Sequence, residues 1–147
     1  MTIFSSGLRA PLPLSADDAA WWREYASAYR KYPGMYCILS LEGLAQLLYG
    51  MDLGRDTDLL WSFRIYVYAQ LLNEEPTRLG WEAAIADYVT GEHISYRALT
   101  QEQNATAIDL TLSLLLQHLD ELVPEQSAVR LGRTEDVELL GPAGVLR

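Results

Sequence analysis

The chain has 147 residues, half of them apolar or aromatic, which is the length of one domain and too apolar for a disordered segment. Twenty carboxylates face eleven basic residues, ten of them arginine, and the net charge of −9 disfavours nucleic acid and anionic membrane as partners and favours basic surfaces. A single cysteine, Cys37, a start without a secretory pattern, and no run of roughly 18 uninterrupted apolar residues lead to the expectation of a cytoplasmic chain.

Residues 1–14, with Gly7, Pro11 and Pro13, carry no helical period and read as an extended leader. Ser15 then serves as an N-cap with Asp17 and Asp18 in the first turn, and Trp22, Tyr25, Ala26 and Tyr29 follow at spacings of three and four. Pro33-Gly34 ends this first helix. A second stripe, Trp21, Tyr25, Ala28 and Tyr32, lies beside the first, giving the helix more aromatic surface than one packing face needs.

The second helix is expected within Met35 to Tyr49, closed by Gly50, with Ser40 as the cap of a shorter alternative and a loop over 51–55. Asp56 or Thr57 caps a third helix running to about Asn73, apolar nearly all round and therefore central. Trp81, Ala84, Ile85, Tyr88 and Val89 form the buried stripe of a fourth helix stopped by Gly91. Thr100 and Gln103 make a capping box for the longest helix. Its inner stripe is Ile108, Leu112, Leu115, Leu116, Leu119 and Leu122, and its outer one Thr106, Asp109, Ser113, Gln117 and Asp120.

The fold expected is all-α, a bundle of about five helices over 15–124, with a tail 125–147 that forms a short helix in preference to a hairpin.

Chemical motifs are sparse. Glu92-His93 and His118 lack the second cluster that a metal site needs, Cys37 at the start of an apolar run reads as a small hydrophobe, and no nucleotide-binding or hydrolase signature occurs. Neither catalytic residues nor a metal or cofactor are assigned. The acidic pairs at 17–18, 56 and 58, and 135–136 complement helix N-termini, whereas Asp120-Glu121 in a last turn opposes the dipole and hints at function.

The charge is uneven: residues 35–125 carry four arginines against fourteen acids. This profile suggests a binding protein, monomeric or homodimeric, that neutralises a basic protein partner as a toxin immunity protein does. Trp21, Tyr25, Tyr32, Asp109, Asp120 and Glu121 are the candidate partner-binding residues. An adaptor or secretion chaperone is the alternative, and a small helical enzyme with a carboxylate site the third possibility.

Overall fold

A computed structural model describes residues 14–122, all of whose regular structure is helical. The expected leader, apart from Leu14, and the tail lie outside the described residues. Helix α1 spans Ala16–Lys31, and the Ser15 hydroxyl accepts from the Asp18 amide at 3.1 Å while acids in the first turn and Arg30 and Lys31 in the last complement the dipole. Trp22, Ala26 and Tyr29 are buried, as their spacing requires. A 3₁₀ turn, Pro33–Tyr36, follows and ends at Cys37, whose φ of 59° is left-handed. Cys37 is exposed, so it is not the core hydrophobe that the neighbouring apolar residues suggested.

Helix α2, Leu41–Arg55, is capped by Ser40, which accepts from the Gly43 amide at 2.9 Å. The expected stop at Gly50 and the loop over 51–55 are therefore corrected: the helix continues through both Gly50 and Gly54. A glycine inside an exposed helix costs only about 1 kcal/mol, which the buried Leu41, Leu44 and Leu48 outweigh at roughly 1.5–3 kcal/mol each.

Helix α3, Leu59–Val67, is capped by neither Asp56 nor Thr57. Asp56 and Asp58 both adopt left-handed backbone, and the carboxylate at the helix start is Asp52, from the preceding helix. Its two oxygens accept from the Leu59 and Leu60 amides at 2.9 and 3.0 Å. The Thr57 hydroxyl donates to the same carboxylate and accepts from the Trp22 indole at 3.1 Å, tying α1 to the α2–α3 corner. The expectation that Asp56 and Asp58 serve the dipole thus transfers to Asp52.

The third helix is central, with Leu59, Phe63, Ile65, Tyr66 and Val67 buried. It does not run as regular α-helix to Asn73; its last turn, Tyr68–Leu72, is π-helical, and Asn73 closes it with φ 55° and an N–H that donates a hydrogen bond to the Tyr68 carbonyl.

Helix α4, Trp81–Thr90, ends at Gly91, whose φ of 73° suits a residue without Cβ. Helix α5, Gln101–Leu122, opens with the expected capping box: the Gln103 amide donates to the Thr100 hydroxyl at 3.1 Å and the Thr100 amide to the Gln103 side chain at 2.9 Å. Its fully buried Leu112, Leu115 and Leu119 join Trp22, Phe63 and Trp81 in one core, where the Phe63 and Trp81 rings meet edge to face at 5.4 Å. No helix among the described residues is long and apolar enough to cross a membrane.

Candidate functional site

The six candidate partner-binding residues fall on different parts of this bundle. Trp21 and Tyr25 come together on α1, their ring centroids 5.0 Å apart, and the row of rings continues through Tyr29 to Tyr36. The Arg55 guanidinium lies 5.0 Å from the Trp21 ring and donates to Asp18 at 2.8 Å, a bond that holds the Asp18 carboxyl below its usual range. Trp21, Leu47, Met51 and Arg55 line a surface groove of about 530 Å³ between α1 and α2, open over Gly50 and Gly54. Tyr25 is 37 % exposed and Tyr32 49 %; the Tyr32 ring meets Lys31 Nζ at 5.4 Å.

Asp120 receives two bonds from Arg23, at 2.6 and 3.2 Å, and Asp109 receives one from Arg30 at 2.9 Å. Both carboxylates thus staple α5 to α1. The acid at the end of α5, unfavourable by its dipole, is explained by a guanidinium 97 residues away. Burial first, and then the charge of Glu121, push the Tyr66 phenol up to about 12.

Asp109 also lines a cavity of about 630 Å³ between α4 and α5, with Tyr88, Val89, Thr106, Leu110 and Ser113. The outer stripe read from the sequence supplies three of these residues. Tyr88, expected in the buried stripe of α4, is instead 55 % exposed. It stands between this cavity and another of about 420 Å³ at the C-terminal end of α4.

The second cavity was not read from the sequence. Its walls come from the π turn (Tyr68, Leu72), the loop after it (Glu74, Thr77, Leu79) and the end of α4 (Asp87, Glu92, His93). The loop has no backbone ladder of its own and is held by one side chain of α3 and one of the π turn. Arg64 donates to the carbonyls of Thr77 and Leu79, and the Tyr68 hydroxyl pairs with that of Thr77 at 3.0 Å. On the opposite wall Asp87 Oδ2 and His93 Nδ1 are 2.8 Å apart. The sequence signals were Glu74-Glu75 directly after the long apolar run and Glu92-His93 directly after Gly91.

Residues 14–122 hold sixteen carboxylates against seven cations. Four of the cations, Arg23, Arg30, Arg55 and Arg97, are each matched to a carboxylate, a fifth, Arg64, serves loop carbonyls, Lys31 meets the Tyr32 ring, and the seventh, Arg78, lies in the loop between Thr77 and Leu79. Glu74, Glu75 and Glu92 enter no ion pair among the described residues.

A buried polar pair lies elsewhere: His118 Nε2 is 2.8 Å from the Ser62 hydroxyl, between the rings of Phe63 and Tyr66. Desolvation lowers the imidazole pKa to about 4. Among the described residues, no group of three or more His, Cys, Asp or Glu side chains is placed to hold a metal ion. No protein-family model matches the chain, and no curated protein or solved structure is significantly similar to it.

Proposed function

We propose that this chain is a binding protein that captures and neutralises a basic protein partner, in the manner of a toxin immunity protein, through the acidic surface beside Tyr88 at the C-terminal end of α4. The observation that carries this reading is the gathering of Glu74, Asp87 and Glu92 around one cavity with the half-exposed Tyr88 at its edge. Tyrosine is a frequent interface anchor because its ring buries area at low entropic cost and its hydroxyl tolerates water. Carboxylates around such an anchor steer a basic partner and reject an acidic one.

The groove at Trp21 favours a second reading, an adaptor or secretion chaperone that holds an apolar client segment between α1 and α2. Two variants separate the readings once the partner has been captured from the native host. Tyr88→Ala is expected to weaken binding by about 2 kcal/mol or more with the fold retained, and Trp21→Ala by much less. The reverse order, measured by calorimetric titration, favours the client-holding groove.

A further inference from the structure

We infer that the cavity at the C-terminal end of α4 is an anchor pocket for one guanidinium group, an arginine side chain projecting from the partner. This rests on the reading of the protein as a binder of basic partners and adds the atom group that is recognised. The pocket's volume of about 420 Å³ lies within the range of sites for small organic groups, roughly 300–1,000 Å³. Its lining includes the exposed Tyr88 ring and the edge of the buried Tyr68, the carboxylates of Glu74 and Glu92, and Asp87, which shares the wall with the His93 imidazole bonded to it. An aromatic wall and several anionic acceptors are what a flat, delocalised cation with five N–H donors can use together.

The arrangement also selects against a metal ion. The carboxylates are spread along the walls and do not close on one point with the ligand number an ion needs. A group that carries its donors on a planar fork reaches separated acceptors, whereas a point charge such as an ammonium meets fewer of them. The end of α4 adds to the negative potential, because its last turn directs carbonyl oxygens toward Gly91 and Glu92.

The walls are held before any ligand arrives. Arg64 and Tyr68 fix the loop on one side, and on the other Gly91 closes the helix while Asp87 holds His93. A preformed pocket avoids the ordering cost that weakens binding to mobile loops.

The probe is N-acetyl-arginine methylamide, titrated into the ¹⁵N-labelled full chain and followed by amide chemical shifts, with the citrulline analogue as its neutral counterpart of equal length. Saturable shifts centred on Glu74, Tyr88, Gly91 and Glu92 are expected, with the citrulline compound at least about tenfold weaker. Glu74→Gln and Glu92→Gln should each weaken binding about fivefold, the attraction of one unit charge near contact distance in water. Equal binding of citrulline, or non-saturating shifts shared by remote acids such as Asp17, Glu24 and Glu102, would overturn the pocket. The captured partner gives the second arm. If its affinity survives the double variant while its salt dependence persists, the anchor assignment falls and the proposed function stands; if salt dependence is also absent, the function falls as well.

Discussion

Acidification from about pH 7.5 to about pH 5 should destabilise the bundle through His118 by about 2 kcal/mol, rising to about 3 kcal/mol near pH 4. The magnitude follows from the site. The Ser62 hydroxyl donates to the Leu59 carbonyl at 3.0 Å, so its lone pair accepts from His118 Nε2–H, and Nδ1 is left as a bare nitrogen, buried without a partner. A second proton would have to go onto Nδ1, between apolar walls with no acceptor. That desolvation lowers the pKa from 6.5 to about 4.

Because the folded pKa lies below the unfolded one, the unfolded chain binds the proton first. The full stability is present above pH 6.5, declines as pH falls toward 4, and levels off below that. Urea denaturation of the parent and of His118→Leu, at matched pH values, isolates the effect, since the carboxylate ion pairs are common to both. Ser62 keeps its Leu59 bond in the variant. The parent should lose about 2 kcal/mol more than the variant over the interval to pH 5. Parallel losses would refute the assignment of the acid sensitivity to His118.

The neighbouring tryptophans should respond differently. Trp22→Ala empties a fully buried site and removes the indole bond to Thr57, at a cost of about 3–5 kcal/mol, whereas Trp21→Ala loses a half-covered ring and should cost under half of that in thermal melts. Asp52→Ala leaves the first amides of α3 and the Thr57 hydroxyl without their acceptor; a loss of about 2 kcal/mol and faster hydrogen exchange at Leu59 and Leu60 are expected, and unchanged exchange would deny it the capping role. Gly50→Ala should stabilise by roughly 0.5–1 kcal/mol, because the position is helical and open, while Gly80→Ala, whose methyl would collide with the Glu82 carboxylate bonded to Tyr49, should destabilise; equal melting temperatures for the two would contradict the packing described.

Local chemistry made much of the fold legible before the structure. Ser15, Ser40, Gly91 and the Thr100–Gln103 box each act within four residues of the helix end they define, and the spacing marks the buried Trp22, Ala26 and Tyr29 of α1 and Ile108, Leu112, Leu115 and Leu119 of α5, while Tyr25 of the first stripe is exposed and Leu116 and Leu122 of the second are half-buried. What the sequence concealed was set by partners distant along the chain. The start of α3 is capped by a carboxylate seven residues upstream on another helix, so the nearer Asp56 and Thr57 drew the assignment. Gly50 looked like a stop because its local penalty is visible in the sequence and the compensating burial of α2 is not. Asp120 looked functional because Arg23, which neutralises it, belongs to α1. The acidic cavity beside Tyr88 escaped notice because its walls come from three segments, and a π turn that no periodicity announces sets one of them.

The association rate between this chain and its captured partner, measured by stopped flow from about 20 mM to about 500 mM salt, tests electrostatic capture most directly. A fall of roughly ten- to a hundredfold is expected, with Glu74→Gln/Glu92→Gln lowering the low-salt rate and flattening the slope. A rate indifferent to salt, or a partner whose contacting surface is acidic, would contradict it.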